Sequence, residues 1–345
     1  MKQRVNLRVG VVLVGALWAL GPPLAAAQST QPTAKPRVPS PGRSAPAVAR
    51  TPWGDPDLQG IWLNATITPL ERPAALADKP FLTDEEAAAL ETRTLRQREE
   101  SERTQRAGEV GSYNSAWFDQ GTKVVSTNQT SLVVEPSDGR VPVRPAAEKI
   151  RDENLARNDD SYEYMSVWDR CISRGMPGAM IPAGYNNAYQ ILQTPGYVVI
   201  LHEMIHEVRI IPLDRRPHLP SNITLWMGDS RGHWEGSTLV VETTNFGNKG
   251  WITTSAATGR IKGIPQSETL RVVERFTPEG GGTIHYEVVV EDPAMFFGPW
   301  KVAMPLGRDQ SYQIFEYACH EGNYAMVNIL NGGRTQAAEG GATSK

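Results

Sequence analysis

What this chain does without narrows its chemistry. Two cysteines in 345 residues are too few for the Cys-rich clusters that hold structural zinc or iron–sulfur centres. Beyond the extreme N-terminus no apolar run reaches the roughly 18 residues a membrane-spanning helix needs. Neither charge dominates, with 35 Lys and Arg against 38 Asp and Glu, so the concentrated positive footprint that nucleic acid demands is missing. P-loops and a G-x-G-x-x-G after a strand are absent, which removes the familiar nucleotide, nicotinamide and flavin sites. Ser230 sits in Gly228-Asp229-Ser230-Arg231-Gly232 without a strand-to-helix pattern after it, so no nucleophile elbow is expected. Any catalysis is expected to be acid–base work with no organic cofactor.

What is present begins with an export signal. Lys2, Arg4 and Arg8 precede an apolar stretch over 9–20, then Gly21-Pro22-Pro23 and Leu24-Ala25-Ala26-Ala27. A basic start, a short apolar core and an A-x-A site predict a signal peptide over 1–27, cleaved after Ala27. Removing those three cations takes the net charge from −3 to −6. Residues 28–50 carry five prolines and the cations Lys35, Arg37, Arg43 and Arg50 without one acid. Such a segment cannot offset its chain entropy and reads as a disordered tether. The expected location is periplasmic or secreted.

In an oxidising space Cys171 and Cys319 are expected to pair. The bond would close a loop of roughly 150 residues, worth about 5 kcal/mol in the chain-entropy model. The competing reading is a reactive thiol. One long helix is expected over 84–106, opened by the capping box Thr83-Asp84-Glu85-Glu86 and lying on the surface. From about 124 onward the signals are strands: 124–125, 131–134, 188–193, 197–211, 237–246, 269–277, 283–291, 300–306 and 313–319. Turn chemistry such as Thr194-Pro195-Gly196 and Glu235-Gly236 separates them. Sequential hairpins without alternating helices imply one mainly β domain over 51–332. Its architecture would be an antiparallel barrel, with a sandwich as the alternative, followed by a disordered tail over 333–345.

Gly60-Ile61-Trp62, after Asp57-Leu58-Gln59, resembles the G-x-W opening of the lipocalin-like (calycin) barrels. That likeness implies a barrel with the Trp plugging one end. Longer blocks resemble a group of exported bacterial proteins. They are Gly228-Asp229-Ser230-Arg231-Gly232-His233-Trp234-Glu235-Gly236, Thr238-Leu239-Val240-Val241-Glu242-Thr243-Thr244-Asn245-Phe246 and Ala318-Cys319-His320-Glu321-Gly322-Asn323. The likeness covers most of 51–332 and brings no activity with it.

His202-Glu203-Met204-Ile205-His206 spells the zincin string, which binds metal only on a helix. Here β-branched neighbours on both sides predict a strand. On a strand the two His lie roughly 13 Å apart, too far to share an ion, so no metal is expected. One face of 197–211 would carry Val198, Ile200, His202, Met204, His206, Val208 and Ile210. The other carries Glu203, Glu207 and Arg209, which are costly to bury and so are assigned to solvent. That turns His202 and His206 inward as acid or base, with Met204 against the ligand. Equally, both rings could be core histidines held by backbone carbonyls.

Two further clusters carry polar chemistry. Asp229, Arg231 and His233 would hold a polar substrate group at a barrel mouth, or else brace a glycine-rich corner. His320 and Glu321 lie beside Cys319, and a disulfide would bring them to Arg174 and to the loop bearing Tyr185, Asn186 and Asn187. That loop reads as a pocket rim. The function expected is an exported acid–base lyase, isomerase or hydrolase acting on a small apolar or aromatic molecule in the barrel lumen. The alternative is a non-catalytic carrier or sensor of such a molecule.

Overall fold

The computed structural model describes residues 48–104 and 118–343. The expected signal peptide over 1–27, nearly all of the 28–50 tether, and Trp117 lie outside the described residues, as does the side chain of His206.

Among the described residues ten strands form: β1 (Gly60–Leu63), β2 (Val133–Glu135), β3 (Ala188–Thr194), β4 (Tyr197–His202), β5 (Val208–Pro212), β6 (Asp229–Glu235), β7 (Thr238–Thr244), β8 (Arg271–Gly280), β9 (Thr283–Glu291) and β10 (Trp300–Arg308). Nine of them run in the order β5-β4-β3-β1-β10-β9-β8-β7-β6, with β2 added on β10. Every ladder is antiparallel. In chain order this is a meander, completed by β1 pairing with both β3 and β10.

Nine strands cannot alternate all the way round a ring, because alternation returns to its start only for an even number. The odd junction falls between β5 and β6, which run the same way and share no ladder. Side chains cross that seam instead. Arg209 on β5 reaches Ser230 on β6, and a Cβ at Gly232 would stand 2.8 Å from Ile211, so only glycine fits there. The result is a nearly closed, lipocalin-like antiparallel barrel.

Alternation along the strands sets the interior. On β9, Ile284, Tyr286, Val288 and Val290 are fully buried, as are Val272, Glu274 and Phe276 on β8. Apart from Glu274, these residues form one continuous hydrophobic core with Trp62, Ile191, Ile200, Val241 and Trp300. The lumen is thus filled by side chains rather than open to a ligand. Trp62 on β1 is buried, its indole N–H donates to the Leu58 carbonyl at 2.9 Å, and Arg308 lies over its ring.

Among the described residues there are three α-helices: α1 (Asp84–Thr104), α2 (Pro145–Ala156) and α3 (Ala325–Thr343). The capping box forms as expected, with Glu86 N–H donating to Thr83 Oγ1 at 3.2 Å and Thr83 N–H to Glu86 Oε2 at 2.9 Å. The segment 325–343 is helical where composition suggested an unstructured tail from 333. Residues 124–125 and 313–319 are not strands.

The largest departure concerns 197–211. It is two strands, β4 and β5, joined by a tight turn with 3-10 geometry at Met204–His206, in which Ile205 adopts φ 63°. The turn reverses the alternation. Val208 and Ile210 are exposed, while Arg209 and Ile211 face the core. Glu203 is buried as well. The solvent-facing assignment of Glu203 and Arg209 is therefore corrected: charges can be buried where partners meet them. Arg209 Nη1 donates to Glu274 Oε1 at 3.0 Å and its Nη2 pairs with Glu274 Oε2. Tyr286 also donates to Glu274 Oε1, at 3.0 Å.

Removing one member of such a pair strands a charge in the core. Arg209→Met should cost about 3–5 kcal/mol in urea unfolding, and adding Glu274→Leu should recover most of that loss. A single variant as stable as the parent would show that the pair does not hold the barrel.

Candidate functional site

The barrel end at which β4 finishes is covered by residues 164–187. Met176, Met180 and Ile181 of this segment belong to the core, so it acts as a plug. Gly175 (φ 79°) lets it press against the Trp251 carbonyl, where a Cβ would approach to 1.9 Å. The Cys171–Cys319 disulfide, with Cα atoms 5.7 Å apart, ties the plug to residues 309–324, which lie over it without strand or α-helix.

Beneath the plug lies a small cavity lined by Asn64, Arg174, Asn186, Asn187, Tyr189, His202 and Met204, with small aliphatic residues between them. It leaves about 10 Å³ for the centre of a water-sized body, which is room for roughly one water. Six of these seven side chains are at most 5% exposed, among them Arg174, Asn64, His202 and Tyr189; these four share a further feature. Each carries at least one atom without a hydrogen-bond partner: Arg174 Nη2, Asn64 Oδ1, the Tyr189 hydroxyl, and both ring nitrogens of His202. The Asn64 amide approaches the Tyr189 hydroxyl without reaching hydrogen-bond geometry. Buried polar atoms are nearly always paired, so this group of exceptions around one cavity marks it out.

Burial sets the electrostatics. Desolvation, helped by the charge of Arg209, lowers the His202 pKa to about 3, so the imidazole is uncharged at neutral pH. The Ala179 carbonyl approaches the ring without reaching hydrogen-bond geometry. Desolvation also lifts the Tyr189 phenol well above its ordinary range and brings Arg174 down to about 10. Beside the cavity, Glu207 is pushed up to about 7 by burial, against the opposing pull of Arg209.

The rim is aromatic. Trp168 lies 5.7 Å from the Arg174 guanidinium and meets Tyr185 edge-on, and Tyr185 stacks on Tyr317. Trp168 Nε1 donates to Met204 Sδ at 3.3 Å. Glu203, next to His202, accepts from the Tyr312 hydroxyl at 3.0 Å and from Asn186 Nδ2 at 3.0 Å. This carboxylate therefore fastens the covering segment and the rim loop to the turn after β4. Ile205 holds its left-handed backbone in the same turn, a costly conformation for a β-branched residue.

Of the residues singled out from the sequence, His202, Met204, Arg174, Asn186 and Asn187 come together at this cavity, and Tyr185 packs against Trp168 beside it. Others are elsewhere. Asp229, Arg231 and His233 lie on the outer face of β6, which is a strand rather than a corner. There Arg231 Nη1 donates to Asp229 Oδ1 at 2.6 Å, His218 Nδ1 sits 3.0 Å from Asp229 Oδ2, and His233 pairs with Glu235. His320 and Glu321 are exposed in the covering segment. Ser230 bonds Thr243 within the barrel wall, away from any helix start. Sequence reasoning missed Tyr189, Asn64 and the fastening role of Glu203. Alternation from Ile191 already placed Tyr189 inward, whereas nothing local marks Asn64.

Among the described residues no group of three His, Cys, Asp or Glu side chains is arranged to hold a metal ion. None of the described helices is long and apolar enough to cross a membrane. Comparison with protein-family models, with curated proteins and with solved structures finds no match.

The two shifted groups bend stability with pH in opposite senses. Unfolded chains protonate His near 6.5 while the folded chain resists until about 3, so His202 removes stability as pH falls through that window. Glu207 holds its proton to about 7 when folded but only to 4.5 when free, so it removes stability as pH rises from 4.5 to 7. In urea titrations His202→Gln should flatten the acid-side decline by up to about 1 kcal/mol per pH unit. Glu207→Gln should flatten the opposite slope. Parallel curves for parent and variants would refute these protonation states.

Proposed function

We propose that this chain is an exported enzyme that performs acid–base chemistry on a small, mainly apolar organic molecule without an organic cofactor. Lyase, isomerase and hydrolase chemistry all fit this description. The observation that carries the reading is the convergence of unpartnered, buried polar atoms on one cavity. Arg174 and the Tyr189 phenol are donors, and both are suited to a negative charge that grows during reaction. His202 exchanges the proton. Its pKa is low in the empty cavity, and negative charge arriving beside it raises that value toward the range where a base works. The substrate's polar end sits under the plug, and its apolar body lies along Trp168, Tyr185 and Tyr317.

A signal peptide cut after Ala27, the disulfide, and the likeness of the 228–246 and 318–323 blocks to exported bacterial proteins support a periplasmic or secreted location.

Small molecules that co-purify with the exported protein provide the test. After extraction and incubation with fresh protein, mass spectrometry or chiral chromatography should reveal conversion to an isomer, elimination product or hydrolysis product. His202→Gln should still take up the compound but slow its conversion by at least the hundredfold typical of a lost acid–base group. Equal conversion by His202→Gln, or none by the parent, would end the assignment.

A further inference from the structure

Three arginines are buried in the described chain: Arg72, Arg174 and Arg209. Arg72 donates to Thr130 Oγ1 at 3.0 Å and to the Ser137 carbonyl at 2.8 Å. Arg209 has Glu274. Neither Arg72 nor Arg174 pairs with a carboxylate among the described residues, but neutral oxygens meet Arg72, whereas Nη2 of Arg174 has no acceptor. The groups acting on its charge are the phenols of Tyr185 and Tyr317 and the face of Trp168. A buried cation without a counter-ion is unfavourable enough that folded chains rarely keep one. Its presence in a cavity calls for an anion from outside.

We infer that the cavity binds the carboxylate of a small organic acid, with Arg174 as its charge partner and the aromatic rim around its body. The donors match the geometry of that group. A guanidinium offers two parallel N–H bonds to a carboxylate. The unpartnered Tyr189 hydroxyl lines the same cavity and can serve an outer lone pair, as can one N–H of the neutral His202 ring. Space limits the fit. Room for roughly one water beneath the plug is less than a carboxylate group occupies, so the plug must shift to admit one, with the aryl or alkyl body directed toward Met204 and Trp168. An uncharged head group would leave the guanidinium unpaired, so amides and alcohols of the same shape should be rejected.

The inference rests on the same cavity as the proposed enzyme but not on turnover. The experiment uses the mature, disulfide-bonded chain and sodium acetate, benzoate and phenylacetate. Their amides, and sodium chloride at equal ionic strength, are the controls. Thermal unfolding and calorimetry are read side by side. Benzoate and phenylacetate should raise the melting temperature saturably by a few degrees, acetate less, and the amides and chloride not at all. Arg174→Gln should weaken benzoate binding more than tenfold yet melt no lower than the parent, since it removes an unpaired charge. Arg174→Lys should retain part of the affinity.

Equal shifts with acids, amides and chloride would overturn the inference, as would no shift with any acid in the tens of millimolar. So would an Arg174→Gln variant that binds benzoate like the parent, or one that melts well below it, which would make the arginine structural. The two readings fail separately. Acids that bind without being converted uphold this inference and count against the enzyme, whereas conversion of uncharged compounds by Arg174→Gln does the reverse.

Discussion

An ion pair at the centre of the barrel resolves a problem of parity. Nine strands leave one junction without a ladder, between β5 and β6, and Arg209 stands beside it. From β5 its guanidinium reaches Glu274 on β8, Ser230 on β6 and Thr243 on β7. No main-chain ladder closes the seam, so side chains that span the interior connect its two edges. The partners of Arg209 are all buried, which places the whole arrangement in a low-dielectric core. Loss of one partner is expensive there, whereas replacing both by apolar groups need not be.

The same arginine links the core to the candidate site. Its charge is one cause of the low pKa of His202 and works against the raised pKa of Glu207. The site also carries costs that packing does not require: a buried arginine without an acid, unpartnered hydroxyl, amide and imidazole atoms, and a left-handed isoleucine. A fold can carry such costs when a large filled core and a long-range disulfide support it. Natural chains concentrate unfavourable features of this kind where a ligand relieves them.

Several elements were legible because they depend on local pattern. Alternating apolar residues announced β7, β8, β9 and β10, and Gly236 and Gly281–Gly282 marked their turns. The capping box announced the helix from Asp84. Strand parity from Val198 and Ile200 turned His202 inward. The 203–207 turn was not legible. A continuous apolar, β-branched run reads the same whether it is one strand or two, and Ile205 is an unusual residue for the reversal. Missing that turn cost the placement of Glu203 and Arg209 together, because every residue after it changes face.

Sequence by itself determined the class of fold, the place of most strands, the helix start and the partner of each cysteine. These follow from periodicity, turn residues and the chemistry of two thiols. Tertiary structure alone decided that Arg209 finds Glu274 across 65 residues of chain and that Arg174 finds no acid. It also decided that Asn64, Tyr189 and His202 share one cavity while Asp229, Arg231 and His233 stand outside the wall. Whether a buried charge is paired depends on residues far apart in the chain that only the closed barrel brings together. No local pattern carries that information.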